Sequence, residues 1–227
     1  MKLHKCNIII AVLSMLLAAC GAQPTPDTDG VIGSYVVKGT NPDKSTYEAT
    51  LVVTAKGEAF DWSWNDGEYK GVGLQQDDIV SIARGDDDCQ LVAYVVGDDG
   101  VLTGKWTARS VSGIGSTFLT PVDRAKMNGL EGLYTETGTE LDGSEYGGCS
   151  LQVTKKAKGV YEFYEPNCMG EWTGVGIQNG NLVSVAIALK QYECVAMSYM
   201  VNTDGSMDAI WTHVGQSDLG TENATPK

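Results

Sequence analysis

The chain has 227 residues with 29 acidic and 16 basic side chains, which gives a formal charge of −13 at pH 7. So acidic a chain repels the phosphates of nucleic acids, and no basic patch with interleaved aromatic residues offsets this charge. Beyond residue 21, no apolar segment is long enough to span a bilayer as a helix. The bulk properties therefore argue against a nucleic-acid-binding protein and against further membrane-spanning helices.

The first segment has the order of an export signal. Met1–Lys5 is short and basic, Asn7–Leu17 is mostly apolar, and Leu17-Ala18-Ala19-Cys20 follows directly. This order resembles a bacterial lipoprotein signal peptide that ends in a lipobox. The resemblance implies cleavage before Cys20 and attachment of lipid to its sulfur and its new amino group. An ordinary cleaved signal or a transmembrane helix is the alternative, but the apolar run is short for a span.

The lipobox resemblance sets the expected location. Residues 1–19 would be the signal peptide, and residues 20–29, which have no apolar period, would form a flexible tether. Gly21 stands where an Asp would be expected in lipoproteins kept at the inner membrane, so the pattern resembles outer-membrane lipoproteins facing the periplasm or the surface. A Gram-positive cell surface is the alternative.

The rest of the chain is a duplication, because similar segments recur in the same order about 100 residues apart. The clearest matched segments are Gly33–Tyr35 with Gly132–Tyr134, Leu51–Thr54 with Leu151–Thr154, Tyr69–Gln75 with Trp172–Gln178, Val80-Ser81 with Val183-Ser184, Cys89 with Cys194, Tyr94 with Tyr199, and Trp106-Thr107 with Trp211-Thr212. We assign residues 30–119 to repeat 1, residues 120–128 to a connector and residues 129–227 to repeat 2.

Each repeat has the alternating apolar pattern of β-strands. About eight strands are predicted in repeat 1, starting near residues 34, 46, 59, 69, 79, 89, 101 and 114. In the second predicted strand, the two repeats share apolar residues at alternate positions. Residues at alternate positions lie on one face of a strand, so Leu51, Val53, Leu151 and Val153 should face the core. So many short strands joined by hairpins favour an all-β fold with one small up-and-down barrel per repeat. One larger sheet assembly shared between the repeats is the alternative.

Four cysteines would remain after cleavage at Cys20 and its lipidation, and an even count in an exported chain suggests disulfides. Cys149 and Cys168 should lie opposite each other across a hairpin and pair. Cys89 and Cys194 occupy equivalent positions, so they could meet on a pseudo-two-fold axis or remain two free buried thiols.

No catalytic constellation or metal site is evident, so the sequence predicts a protein that is not an enzyme and needs no cofactor. His213 is expected at the surface, and the acidic clusters Asp77-Asp78, Asp86–Asp88 and Asp98-Asp99 at hairpin tips. Arg84-Gly85-Asp86 spells the integrin-recognition tripeptide, but tripeptides occur often by chance. Aromatic residues on strands are expected either to fill the barrels or to line a ligand pocket: Trp62, Trp64, Tyr69, Tyr94, Trp106, Tyr161, Phe163, Trp172, Tyr199 and Trp211.

Two further resemblances concern the repeats. The unit with Gly39–Asp43, Gly71–Gly73, Cys89 and Trp106 resembles a repeat of exported bacterial proteins labelled fibronectin-binding. The strand meander opening at Gly33 is similar in outline to the avidin family and other calycin-like barrels, without a matching set of polar pocket residues.

These features predict a lipid-anchored binding protein of the cell envelope that recognises a protein or a small ligand. The membrane would be contacted through the lipid on Cys20, and an extracellular or envelope protein is the expected partner. An inhibitor of a cationic enzyme such as lysozyme and a structural envelope lipoprotein are the alternatives.

Overall fold

The computed structural model describes residues 30–166, 170–188 and 194–227. The predicted signal peptide, the lipidation site Cys20, the tether and Cys168 lie outside these residues. Repeat 1 forms eight strands: β1 Gly33–Thr40, β2 Thr46–Lys56, β3 Ala59–Trp64, β4 Tyr69–Gln76, β5 Ile79–Arg84, β6 Gln90–Val96, β7 Leu102–Ala108 and β8 Gly115–Pro121. Repeat 2 forms the same set: β9 Gly132–Thr139, β10 Glu145–Ala157, β11 Val160–Glu165, β12 Trp172–Asn179, β13 Leu182–Ala188, β14 Val195–Val201, β15 Met207–His213 and β16 Gly220–Pro226.

The sixteen strands close into two eight-stranded antiparallel barrels, which confirms the predicted fold class. One barrel contains β1–β5 and β14–β16, and we call it the terminal barrel because both ends of the strand set lie in it. The other contains β6–β13, and we call it the central barrel. Short 3-10 helices at Asn65–Gly67 and Arg124–Lys126 lie in connections.

The barrels do not follow the repeats, and this corrects the expectation of one barrel per repeat. Each barrel takes five strands from one repeat and three from the other. The boundaries 30–119 and 129–227 therefore delimit the repeats and not the barrels. The physical reason is the connection after β5, which crosses to the other barrel where a hairpin was predicted, so that Asp86–Asp88 lie in this crossing. The connector at 120–128 joins β8 and β9, which are neighbouring strands of the central barrel.

A disulfide joins the two crossings between the barrels. Cys89 ends the connection from β5 to β6, and Cys194 ends the connection from β13 back to β14. These cysteines are bonded to each other, with their Cα atoms 5.8 Å apart. The structure thus contains the inter-repeat bridge, one of the two alternatives that the sequence left open.

Each barrel has its own apolar interior. The terminal barrel is filled around Trp62, Trp64 and Tyr199, and the central barrel around Tyr94, Tyr134 and Phe163. Leu51, Val53, Leu151 and Val153 are all buried, so the predicted inward face is confirmed. Glycine makes room for the large rings, since a Cβ at Gly73 would overlap Trp62 Nε1.

A third apolar cluster lies between the barrels. It is formed by outward-facing residues of neighbouring strands, among them Val72, Ala83, Leu91, Val175 and Ala186. Small side chains on β5 and β13 allow the two sheets to approach closely. The barrels therefore pack on each other through a largely apolar interface, in addition to the exchange of strands between the repeats.

The strand directions define two ends of the terminal barrel. Arg84 ends β5 beside the crossing, on the same end as the turn between β1 and β2. The first residues of β1 lie at the opposite end, where Tyr35 pairs with Pro226. Within the described residues, no helix is long and apolar enough to cross a membrane.

Candidate functional site

The central barrel has a small cavity at the end next to the crossings. Its walls come from eight strands and include Trp106, Trp172, Ile187, Glu136 and Glu165. It contains about 40 Å³ of space open to the centre of a water molecule. That space holds about three water molecules, so it suits a single small functional group and not a whole drug-sized ligand.

Glu136 is the acidic wall of this cavity. The Thr117 hydroxyl donates to Glu136 Oε1 at 2.8 Å, and the Tyr146 hydroxyl donates to the same oxygen at 3.3 Å. In the described part of the chain, no donor reaches Oε2. Burial raises the pKa of the Glu136 carboxyl above its ordinary value of 4.5, the hydrogen bonds from Thr117 and Tyr146 lower it, and the charge of Glu165 raises it. The cavity therefore holds a buried carboxylate with one oxygen still able to accept.

The other walls are a second carboxylate and aromatic rings. Glu165 ends β11 and is only 1% exposed. Trp172 pairs with it across the ladder, and the Trp106 indole nitrogen donates to the Thr139 carbonyl at 3.1 Å. Among residues 30–166, 170–188 and 194–227, none of those that line the cavity is a Lys, Arg or His. The walls thus combine negative charge with ring surfaces, which is the combination that attracts organic cations.

The terminal barrel has the same mouth in a filled form. The Arg84 guanidinium carbon lies 5.5 Å from the ring centres of Tyr69 and Trp211 and 5.8 Å from that of Trp64. In the same barrel, the Tyr47 hydroxyl donates to Glu222 at 2.5 Å, and the Tyr199 hydroxyl donates to the other carboxylate oxygen. Arg84 thus occupies this mouth as an internal cation.

The buried tyrosines report the charges in this mouth. Burial raises the pKa of both Tyr47 and Tyr199, and the Glu222 carboxylate raises it further, whereas the positive charge of Arg84 lowers it. The guanidinium therefore lies close enough to act on both hydroxyl groups. The indole nitrogens of Trp62, Trp64 and Trp211 have no acceptor among the described residues.

A larger and more open crevice lies outside the barrels, between the loops at the crossing end. It has a volume of about 960 Å³, and charged residues of both signs line it, among them Glu68, Lys70 and Asp88. Arg109 and Asp87 in its wall are ion-paired at 2.7 Å. Because its charged groups are mixed and mostly exposed, this crevice defines a ligand class less well than the central-barrel cavity does.

The predicted aromatic candidates divide between these places. Only Trp106 and Trp172 line the central cavity, whereas Tyr69 lines the outer crevice and is 48% exposed. The remaining candidates are buried inside the barrels: Trp62, Trp64, Tyr94, Tyr161, Phe163, Tyr199 and Trp211.

The other candidate residues have the following places. Cys149 is disulfide-bonded and borders the cavity. Its predicted pairing with Cys168 stays a prediction, because Cys168 lies outside the described residues. His213 packs edge-on against Trp211, with the centres of the two rings 5.4 Å apart. Across residues 30–166, 170–188 and 194–227, no group of three or more His, Cys, Asp or Glu is arranged to hold a metal ion.

The sequence suggests a hairpin tip for the Arg-Gly-Asp tripeptide, but the structure places the tripeptide elsewhere. Arg84 is the last residue of β5, and its guanidinium is held against three rings. Gly85 and Asp86 continue into the crossing between the barrels. The tripeptide is therefore not presented as a projecting loop.

Sequence reasoning missed Glu136, Glu165 and the role of Arg84. A signal was present, since Glu136 occupies an inward position of β9, two residues after the buried Tyr134. Comparison of the repeats would also have shown that Glu165 stands where repeat 1 has Trp64. Charge at an inward-facing strand position is rare enough to mark a site.

Comparison with known proteins gives no match: no family model, no curated protein and no solved structure matches this chain. The fold and the two mouths are therefore the basis for a functional proposal.

Proposed function

We propose that this protein is a lipid-anchored binding protein of the cell envelope. The lipobox resemblance at Leu17–Cys20 supports the anchor, and the unpatterned residues 20–29 support a tether. The observation that carries the binding role is the difference between the mouths. One is closed by the protein's own Arg84, and the other retains a cavity walled by aromatic and acidic side chains.

The anchor is tested by mass spectrometry of the N-terminal peptide and by cell fractionation. The expected result is a diacylated or triacylated Cys20 in the membrane fraction, and a soluble protein for the variant C20A. A chain that is cleaved elsewhere, or that stays unmodified at Cys20, would refute the lipid anchor.

The binding role is tested with the body from Asp29 to Lys227, used to capture partners from envelope extract and from host extract at low and high salt. A single saturable partner is the expected result. The control is the same body carrying I187R, which fills the central cavity. Capture that does not distinguish the two proteins would refute a role for the cavity.

The second candidate is an inhibitor of a cationic enzyme. The formal charge of −13 and the two buried carboxylates of the cavity favour it. Binding of this kind should weaken steeply with salt, because long-range attraction between charged proteins is screened. Binding that is insensitive to salt would exclude this candidate.

A further inference from the structure

The position of Arg84 and the rings around it have equivalents in the central mouth, as the strand registers show. Arg84 pairs with Gly71 in the terminal barrel, and Ile187 pairs with Gly174 in the central barrel. Gly71 and Gly174 are matched positions of the repeats. Ile187 therefore stands in the place of Arg84.

The rings around this position are also equivalent. Trp172 stands in the place of Tyr69, and Trp106 in the place of Trp211. The third ring, that of Trp64, is replaced by Glu165. The central mouth thus keeps two of the aromatic walls that hold a guanidinium in the terminal mouth, and it gains a carboxylate.

Each mouth also has a buried carboxylate that accepts from a tyrosine, but the two carboxylates come from different strands. Glu222 stands where the central barrel has Thr117, and Glu136 stands where the terminal barrel has Val37. Glu222 accepts from Tyr47 in the terminal barrel, and Glu136 accepts from Tyr146 in the central barrel. Tyr47 and Tyr146 are equivalent, since they pair with the matched residues Gly39 and Gly138. The terminal mouth supplies its own cation to this arrangement, whereas the described residues that line the central cavity include none.

From this correspondence we propose that the central cavity binds an organic cation through a guanidinium or ammonium group, at the place that the Arg84 guanidinium occupies in the terminal barrel. The proposal rests on the binding role proposed above and names its ligand class. The volume is that of a single such group, because room for about three waters matches a guanidinium of four heavy atoms. A metal ion would fit less well, since Ca²⁺ takes six to eight oxygen ligands and these walls are largely aromatic.

The experiment is an NMR titration of the body from Asp29 to Lys227 with ethylguanidinium chloride and with n-propylammonium chloride. The indole N–H signals are the readout, assigned by single Trp→Phe variants. Signals of Trp106 and Trp172 should shift with saturation, whereas those of Trp62, Trp64 and Trp211 in the terminal barrel should not. For a cation of about six heavy atoms we expect millimolar affinity. Ethylurea, the neutral analogue of the same shape, should not bind.

Two variant pairs locate the site. E136Q should weaken cation binding by about tenfold or more, because it removes a charge-assisted contact. E145Q removes an exposed carboxylate from the adjacent strand and should change the affinity less than about twofold. I187R should place a guanidinium in the cavity and abolish binding, and I187M is the uncharged control of similar length.

Several results would overturn the proposal. These are equal binding of ethylurea and ethylguanidinium, an unchanged affinity in folded E136Q, and retained binding in folded I187R. If I187R does not fold, E136Q against E145Q decides the matter alone. A partner captured by the body without any cation binding would refute the ligand class and leave the proposed binding function standing.

The source of the cationic group is tested with a blocked Gly-Arg-Gly peptide. Binding about tenfold or more tighter than ethylguanidinium would show that a peptide backbone also contacts the rim, which identifies an arginine of a protein as the source. Equal affinity would identify a free small amine or guanidine. Failure of both to bind would overturn the proposal.

The terminal barrel offers a reciprocal test. R84A should empty its mouth, and ethylguanidinium should then shift the indole signals of Trp64 and Trp211 as well. Added ethylguanidinium should also raise the melting temperature of R84A more than that of the wild-type protein, since a ligand that binds the folded state stabilises it. An R84A protein that responds like the wild type would contradict the equivalence of the two mouths.

Discussion

The hydroxyl groups of Ser81 and Ser184 hydrogen-bond to each other at 2.7 Å, and these two serines occupy the same position in the two repeats. Both are buried, at 2% and 1% exposure. Together with the bridge between Cys89 and Cys194, this contact marks the pseudo-two-fold axis that relates the barrels.

Removal of one serine hydroxyl should lower the free energy of unfolding by more than the loss of the hydrogen bond alone, because the other hydroxyl stays buried without a partner. S81A and S184A each leave a buried hydroxyl without its partner, so each should lower the free energy of unfolding by about 1–3 kcal/mol. The double variant should lose less than the sum, because neither unpaired hydroxyl remains. Urea denaturation of the four proteins measures this, with S34A at an exposed position as control. Strict additivity would show that the two hydroxyls do not interact.

The disulfide between the crossings should contribute strongly to stability, because it joins residues 105 positions apart. C89A/C194A should unfold with about 2–5 kcal/mol less free energy than the wild type, following the loop-closure argument. Its circular dichroism should stay that of the native barrels, because the strand ladders and the interface between the barrels remain. The bond of Cys149 is present in both proteins, so the comparison isolates this bridge. Equal stability would contradict the prediction.

The exchange of strands predicts the behaviour of a cut chain. The test inserts a protease recognition sequence between Val122 and Met127, in the exposed connection from β8 to β9. The insertion is made in the C89A/C194A variant. After cleavage the two halves should still elute together in size-exclusion chromatography. Each half supplies strands to both barrels, so four strand ladders join them: β1 with β16, β5 with β14, β6 with β13 and β8 with β9.

The same cut would separate two barrels that each consist of one repeat, apart from any association of their surfaces. Elution as two independent folded halves would therefore refute the exchanged topology. As a control, urea should release the halves of the cleaved protein in the same transition in which the barrels unfold.

Glu136 should make the stability depend on pH. Because its pKa is raised in the folded protein, the folded state holds this proton more tightly than the unfolded chain. Its stabilising contribution is complete below about pH 4.5 and is lost as the pH rises through the raised pKa. E136Q cannot ionise, so its advantage over the wild type should grow across that window and then level off.

The pH prediction is measured by urea denaturation from pH 4 to pH 8. Glu165 is the acidic neighbour that shares this environment, whereas Tyr94 and Tyr146 have raised pKa values and stay protonated throughout. E145Q, on the exposed face, should show the pH dependence of the wild type. A constant difference between E136Q and the wild type would contradict the assignment.

Most of the strand arrangement could be predicted from the sequence, because alternation and turn residues are local properties. Repeat 1 was expected to begin strands near residues 34, 46, 59 and 69, and they begin at Gly33, Thr46, Ala59 and Tyr69. The exchange could not be read in the same way. The segment after β5 could form a hairpin within one barrel or cross to the other barrel. Its sequence and the inward-facing residues of the strands would be the same in both cases.

The information about the exchange lies in the outward faces. Leu182–Ala188 is buried at every position, and Ile79–Ala83 is buried on both faces as well. Such continuous apolar runs are typical of strands covered on two sides. They indicate that β5 and β13 lie between the barrels. The cavity was harder to predict, because it depends on which side chain fills a mouth once the barrel has closed.

The ends of the strand set have a consequence for how the protein is displayed. The backbone N–H of Lys227 donates to the Ser34 carbonyl at 2.9 Å, so the chain enters and leaves the terminal barrel at one place. That place is opposite the end at which Arg84 and the crossings lie. If the proposed tether leads from Cys20 to this point, the lipid anchor attaches at the end of the molecule opposite the mouths. Both mouths then face away from the bilayer. A reporter domain fused after Lys227 would sit beside the membrane and leave the mouths uncovered.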